Sequence, residues 1–215
     1  MGLSKQELIA LYRRRARRYD WSANLYYLLG FREQAYRRRA VAALGLTPGD
    51  TVVEIGCGTG LNFAQLHAAV GDEGRIIGVD LTDGMLAQAS ERIAKSGWTN
   101  VSVVQSDAAA YRFPDHIDGV LSTFALTLVP EFERVIANAA AALPAGGRFT
   151  ILDLRRPERR PPWLVRLGVA VTAPFGVSLD LAERRPWEAL ERHFARVRYE
   201  ALYFGFAYLA SGEKG

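Results

Sequence analysis

The chain has 215 residues, of which 49% are hydrophobic and 23% are charged, and its formal net charge at pH 7 is +4. These values are typical of one soluble globular unit with a full core. A single cysteine excludes an internal disulfide and a zinc cluster. We expect a cytoplasmic protein, because we find no signal peptide and no uninterrupted apolar segment long enough to span a membrane.

The first 40 residues are strongly basic, with ten Lys and Arg against three acidic residues. Within them, residues 4–18 show helical spacing, with apolar side chains on one face and most arginines on the other. Such a helix suits an anionic membrane surface, and a lid over a ligand site is the alternative. We therefore predict a basic N-terminal helical segment, 1–46, and one main globular domain, 47–215.

A glycine-rich turn lies between an apolar run and a helical pattern. The run Val52–Ile55 predicts a buried parallel strand, and Gly56, Gly58 and Gly60 follow it. Glycine permits positive φ and lets a ligand approach the main chain where a Cβ would block it. Amide donors at the start of the next helix favour an electron-rich ligand group.

Strand and helix patterns alternate along the main domain, which predicts an α/β fold with a doubly wound, mostly parallel, seven-stranded sheet. Such a sheet binds ligands at the carboxyl ends of its strands. The predicted strands are 51–55, 75–79, 101–104, 117–122, 147–153, 195–202 and 203–209, and the predicted helices are 33–44, 60–70, 83–96, 131–143 and 186–193.

Two acids narrow the choice of ligand. A dinucleotide fingerprint needs glycine where this chain has Leu61, and Glu54, just before the turn, is a poor neighbour for a pyrophosphate. Glu54 suits an ammonium group instead. Asp80 lies 26 residues further on, close to the spacing at which an acid accepts hydrogen bonds from a ribose. A ribose joined to a cationic amino-acid tail indicates S-adenosylmethionine as the cofactor.

Three successive motifs in residues 48–153 resemble those of the class I S-adenosylmethionine-dependent methyltransferases. They are Glu54–Gly60, Gly78–Leu81 with Met85, and Ser106–Ala108. The resemblance implies a Rossmann-like catalytic domain over 47–215, closed by an antiparallel pair of strands. It also implies a set of cofactor-binding residues: Glu54, Gly56, Cys57, Gly58, Thr59, Gly60, Asn62, Asp80, Leu81, Met85, Asp107, Ala108, Ser122 and Thr123.

The resemblance also implies a role for each of the main residues in this set. The glycines back the methionine tail, and Glu54 helps to hold its amino end. Asp80 takes the ribose, Leu81 and Met85 flank the adenine, and Asp107 with Ala108 meets the adenine edge.

The segment Ser122–Phe124 stands where many nucleic-acid and protein amide methylases carry an Asn/Asp-Pro-Pro-aromatic motif. It lacks that motif, so we expect no nucleic acid among the partners. His67, His116 and His193 are scattered without ligand spacing, so we expect no metal site.

Residues 19–32 are dense in aromatic side chains. This stretch, with Tyr19-Asp20 and with Asn62 after the glycine turn, is similar to enzymes that N-methylate lipid head groups, including those that complete betaine lipids. Aromatic faces stabilise a methylated cation, which makes Tyr19 and Tyr27 the candidate catalytic residues. A small aromatic core beneath a lid is the alternative.

The leading functional prediction is N-methylation of an amine-bearing lipid head group, such as phosphatidylethanolamine, by a peripheral enzyme at the inner membrane face. The apolar stretch 163–179 either lines an acyl groove or belongs to the core. One alternative is methylation of a quinone or another small hydrophobic acceptor. Another is a non-catalytic membrane or RNA adaptor with the same fold.

Overall fold

The computed structural model describes residues 30–157 and 184–215, together with Glu7, Ala10 and Arg13, which are helical. The described residues contain one seven-stranded sheet. Its strands are β1 Thr51–Ile55, β2 Arg75–Asp80, β3 Val101–Gln105, β4 Gly119–Thr123, β5 Arg148–Leu154, β6 Arg196–Leu202 and β7 Ala207–Glu213.

The strand order across the sheet is β3-β2-β1-β4-β5-β7-β6. Strands β1 to β5 pair in parallel, whereas β7 runs antiparallel to both β5 and β6. The direction of winding reverses between β1 and β4, and this is where a doubly wound sheet opens a crevice for a ligand. The predicted mostly parallel sheet and its antiparallel closing pair are confirmed.

Five helices flank the sheet in the described ranges: α1 Glu33–Leu44, α2 Phe63–Val70, α3 Asp83–Ser96, α4 Phe132–Ala142 and α5 Pro186–His193. Helices α1 to α3 cover one face, where Phe63 and Leu121 are buried. Helices α4 and α5 cover the other, around Phe149 and Tyr208. Both faces of the sheet are therefore buried, which explains why its central strands are almost continuously apolar.

Two glycines end helices in the left-handed conformation. Gly45 after α1 has φ 66°, and Gly97 after α3 has φ 70°. Their amides donate to carbonyl groups in the last turn of the helix and satisfy groups that the helix itself leaves unpaired. The predicted ends of both helices are confirmed.

Two predicted boundaries are wrong. The helix predicted at 60–70 begins at Phe63, because the chain continues as turns through residue 62. The strand predicted at 203–209 is instead β7 at 207–213, preceded by a 3₁₀ turn. The aromatic residues Tyr203 and Phe204 have positive φ, 45° and 56°, which is incompatible with an extended strand.

Several predictions fall on other parts of the chain. Tyr19, Tyr27 and the stretch 163–179 lie outside the described residues, as does most of the helix predicted at 4–18. The division between residues 46 and 47 stays a prediction. Within the described residues, α1 packs against β4 and β5, and no helix has the length and apolarity to cross a membrane.

Candidate active site

A cleft lies at the carboxyl ends of β1, β2 and β4. The glycine turn after β1 forms its floor, and the segments that follow β2, β3 and β4 form its walls. The lining residues are Arg37, Ile55, Gly56, Cys57, Gly58, Thr59, Leu61, Val79, Asp80, Leu81, Thr82, Met85, Ser106, Asp107, Ala108, Thr123, Phe124, Ala125, Leu128, Val129 and Pro130.

The glycine turn is held to the sheet by its own backbone. The amides of Gly56 and Cys57 both donate to the carbonyl of Val79 on β2, at 2.7 and 3.0 Å. Gly56 has φ 70°, and a Cβ there would overlap the side chain of Ala125 beyond β4. Gly58 has φ 55°, and a Cβ there would meet nothing within 4 Å. Gly56 thus allows close packing, whereas Gly58 leaves the backbone open to the cleft.

The carboxylate of Asp80 is fixed at the rim of this turn. One oxygen accepts from the amide of Gly58 at 3.0 Å, and the other accepts from the amide of Thr82 at 2.8 Å. Burial raises the pKa of Asp80, and these backbone hydrogen bonds oppose the shift. The carboxylate therefore lies at the cleft in one orientation, with lone pairs left for ligand hydroxyls.

Glu54 lies beneath the turn and is 1% exposed. Its Oε1 accepts a short hydrogen bond from the side-chain amide of Asn62. No group among the described residues donates to its Oε2. Burial raises the pKa of Glu54 to about 7, and the neighbouring Asn62 and Arg37 oppose that shift. A buried carboxyl oxygen without a donor, next to an open glycine turn, fits the ammonium group of an amino-acid tail.

Arg37 is a residue of the cleft that the sequence patterns did not identify. It is 4% exposed, and its guanidinium donates to Glu33, Asn62 and Thr123. The signal that was available is its position on α1, where it shares a helical face with the buried residues Ala40, Val41 and Leu44. An arginine on the apolar face of a helix is buried only with partners.

The structure brings ten of the predicted cofactor-binding residues together at the cleft. They are Gly56, Cys57, Gly58, Thr59, Asp80, Leu81, Met85, Asp107, Ala108 and Thr123. Four others do not line it: Glu54, Gly60, Asn62 and Ser122. A Cβ on Gly60 would overlap the ring of Phe63, so helix packing accounts for that glycine. The individual roles assigned to these residues remain predictions.

The wall that follows β4 is apolar. Phe124, Ala125, Leu128, Val129 and Pro130 line this side of the cleft, and a 3₁₀ turn at Leu126–Leu128 carries part of it. Phe124 has φ 54°, an uncommon conformation for a residue with a side chain. Its ring lies 5.1 Å from the guanidinium carbon of Arg37. This wall and the acids that follow β2 and β3 lie on opposite sides of the cleft, with β1 between them.

A sheet of this order, with a glycine turn after its first strand and an acid after its second, has the Rossmann-like methyltransferase fold. A methyltransferase domain model matches residues 52–147. A solved S-adenosylmethionine-dependent methyltransferase from Aquifex aeolicus superimposes with a TM-score of 0.62, at 23% identity, over 82% of this chain and 88% of that one.

Several curated relatives carry the name demethylmenaquinone methyltransferase. The one from Desulfitobacterium hafniense is 31% identical over 93% of this chain and 86% of its own length. The one from Symbiobacterium thermophilum is 33% identical over 64% of this chain. This chain belongs to the class I S-adenosylmethionine-dependent methyltransferases, and its cofactor is S-adenosylmethionine.

The share of each relative's length that this chain covers differs from one relative to the next. The chain spans 55% of the length of the Symbiobacterium relative, and about half of several others, for example 50% of a ubiquinone/menaquinone biosynthesis C-methyltransferase from Teredinibacter turnerae.

Proposed function

We propose that this chain methylates a small hydrophobic acceptor of the quinol class, using S-adenosylmethionine. The observation that carries the proposal is the apolar wall after β4. Among the described lining residues, the acids are Asp80 and Asp107, and both lie on the opposite side, after β2 and β3. A flat, neutral aromatic ring buries favourably against Phe124, Leu128 and Val129.

The same wall is less suited to binding an amine head group. An ammonium ion leaving water needs a carboxylate or an aromatic cage. Phe124 is the one aromatic residue among the described lining residues, and no carboxylate accompanies it on that side. The names of the relatives support the same choice, since they specify quinone precursors. The quinone acceptor, stated above as an alternative, is thus better supported than the lipid head group.

The protein's contribution to catalysis is binding, orientation and exclusion of water. S-adenosylmethionine would supply an electrophilic methyl group and leave as S-adenosylhomocysteine, and the acceptor ring would lose a proton to solvent. Asp80 would hold the ribose, the glycine turn would lie against the methionine tail, and Glu54 would hold the amino end of that tail. The apolar wall would place the acceptor ring in line with the methyl group. Alignment of this kind lowers the activation free energy by several kcal/mol, on the order of 7 kcal/mol or more in favourable cases.

The decisive experiment offers the enzyme a choice of acceptors with methyl-labelled S-adenosylmethionine. The acceptors are a reduced, demethylated naphthoquinol with a short prenyl tail and vesicles of phosphatidylethanolamine with phosphatidylglycerol. We expect a labelled methyl group on the naphthoquinol ring, located by mass spectrometry. Methylated head group without ring product would overturn the proposal. Cofactor binding without product from either would instead favour the adaptor alternative.

A further inference from the structure

A buried hydrogen-bonded chain runs from α1 to the floor of the glycine turn. Nη1 of Arg37 donates to Oδ1 of Asn62 at 3.3 Å and to the hydroxyl of Thr123 at 2.7 Å. The amide nitrogen of Asn62 donates to Thr123 at 2.8 Å and to Glu54. Arg37, Asn62, Thr123 and Glu54 are all at most 5% exposed. This cluster lies directly beneath the turn that would hold the cofactor.

The orientation of the Asn62 amide depends on Arg37. An asparagine amide has one acceptor oxygen and one donor nitrogen, and the two ends are nearly alike in shape. Here the oxygen faces the guanidinium and the nitrogen faces the carboxylate. With the opposite orientation, the amide oxygen would face the Glu54 carboxylate and the amide nitrogen would face a cation. Arg37 therefore favours, together with the Glu54 carboxylate, the orientation in which Asn62 holds Glu54.

We propose that Arg37 is a positioning residue for the amino end of the cofactor: through Asn62 it fixes Glu54 so that its second carboxyl oxygen faces the ammonium group. The proposal concerns the cofactor alone and does not depend on the identity of the methyl acceptor. It gives α1, a helix outside the glycine and acidic motifs, a part in cofactor binding.

The guanidinium is largely committed within the protein. Nε and Nη2 both lie 2.8 Å from the same oxygen of Glu33, and Nη1 makes the two contacts described above. All three nitrogens of Arg37 thus have partners in the chain, so the side chain acts through Asn62 in preference to binding the cofactor carboxylate itself. This distinction can be measured.

The test compares three ligands by calorimetry on the Arg37→Met variant. S-adenosylhomocysteine carries both the amino and carboxyl groups, its decarboxylated analogue keeps the amino group, and methylthioadenosine has neither. The loss of a hydrogen bond to a charged group typically lowers the affinity about tenfold to 150-fold. We expect losses of that size for the first two ligands and a change within about twofold for methylthioadenosine.

Each other pattern contradicts the proposal. Equal losses for all three ligands would mean a general structural role. A loss for S-adenosylhomocysteine alone would mean that Arg37 binds the carboxyl group directly. Unchanged affinities would mean that Asn62 and Glu54 keep their positions without Arg37.

Three further variants complete the design. Arg38→Met changes an exposed neighbour on the same helix and should leave all three affinities unchanged. Arg37→Lys keeps the charge without the forked geometry, so it should give the same pattern at a smaller size, and it serves if Arg37→Met does not fold. Combining Arg37→Met with Glu54→Gln should lower the affinity for S-adenosylhomocysteine little more than Glu54→Gln alone, because the two substitutions remove the same interaction with the amino group.

Discussion

The carboxylate of Asp153 at the end of β5 accepts a hydrogen bond of 2.9 Å from the backbone amide of Thr127. Its other oxygen accepts from the amide of Leu154 at 2.8 Å, and the side chain is 3% exposed. The bond joins β5 to the 3₁₀ turn whose residue Leu128 lines the cleft. The position of the apolar wall thus depends on one buried carboxylate of the neighbouring strand.

Replacing Asp153 with Asn should loosen that wall, because an amide has only one oxygen to serve two backbone donors. We expect the free energy of unfolding to fall by about 1–3 kcal/mol. The KM of the acceptor should rise several-fold, with the affinity for S-adenosylhomocysteine nearly unchanged. Steady-state kinetics, urea unfolding and calorimetry measure the three quantities.

Asp118→Asn is the matched control for this variant. Asp118 also accepts from a backbone amide, that of Thr51 at 2.8 Å, but at the amino end of β1, away from the cleft. Its replacement should leave the acceptor KM unchanged. An equal rise in KM for both variants would show that Asp153 acts only through global stability.

The stability of the cofactor-free protein should decrease as the pH rises from about 4 to about 7. Burial raises the pKa of Glu54 to about 7 and that of Asp153 to about 6. Between their ordinary values near 4 and these raised values, the folded state holds protons that the unfolded chain has released, so the stability falls as the pH rises through this window. For Glu54 the effect is on the order of 1–3 kcal/mol.

Urea unfolding at pH 5 and pH 8 tests this dependence. Glu54→Gln should flatten it, since the variant has no carboxyl to titrate. Glu91→Gln is the control, because Glu91 is exposed and pairs with Lys95, which lowers its pKa. If Glu54→Gln keeps the slope of the unmodified protein, Glu54 does not titrate in this range.

Gly56 and Gly58 should respond differently to alanine. Each has positive φ, which costs alanine about 1–2 kcal/mol of stability. At Gly56 the methyl group also overlaps Ala125, which adds about 1–3 kcal/mol. Thermal unfolding should therefore show a larger loss for Gly56→Ala. Gly58→Ala should fold but bind S-adenosylhomocysteine more weakly, since its methyl group points into open space at the turn. The opposite order of stabilities would contradict the described turn.

A polar residue in the wall should impair acceptor binding alone. Leu128→Gln places an amide on the apolar side, so the KM for the naphthoquinol should rise about tenfold, as expected for the loss of roughly 1–2 kcal/mol of apolar burial. Val104→Gln makes a similar change on β3 at a residue that is 37% exposed and does not line the cleft. Equal kinetics for the two variants would remove the wall from the acceptor site.

Asp80→Ala should lower the affinity for nucleosides to a similar extent whether or not they carry the amino-acid tail. Loss of hydrogen bonds to a charged group costs about 1.5–3 kcal/mol, or about tenfold to 150-fold in affinity. Calorimetry with S-adenosylhomocysteine and methylthioadenosine should show similar losses, unlike the pattern expected for Arg37. Asp83→Ala is the control, because Asp83 is exposed and pairs with Arg13. A loss confined to S-adenosylhomocysteine would place Asp80 at the tail instead of the ribose.

The local sequence was sufficient where structure follows from short-range spacing. The run before Gly56 predicts β1, and the glycines at 45 and 97 predict two helix ends, because strand periodicity and left-handed caps are local properties. Ten cofactor-binding candidates come together at the cleft because the carboxyl ends of parallel strands share an edge.

Tertiary contacts decided the rest. Arg37 belongs to the cleft because Asn62 and Thr123, from elsewhere in the chain, surround its guanidinium. The aromatic residues Tyr203 and Phe204 have strand propensity, yet the connection between β6 and β7 requires positive φ there. The preference for a quinol over an amine depends on the apolar wall after β4, and only the order of the strands shows that β1 separates this wall from the acids after β2 and β3.

The position of β7 has a consequence for biosynthesis. Because β7 follows β6 along the chain but sits between it and β5, β6 has no edge to join while the ribosome is still making β7. The five parallel strands can assemble earlier, leaving β5 as an open border with unpaired amides. A nascent chain stalled before residue 207 should therefore be prone to aggregate through the exposed edge of β5. That edge is covered only when β7 has been synthesised and pairs with it.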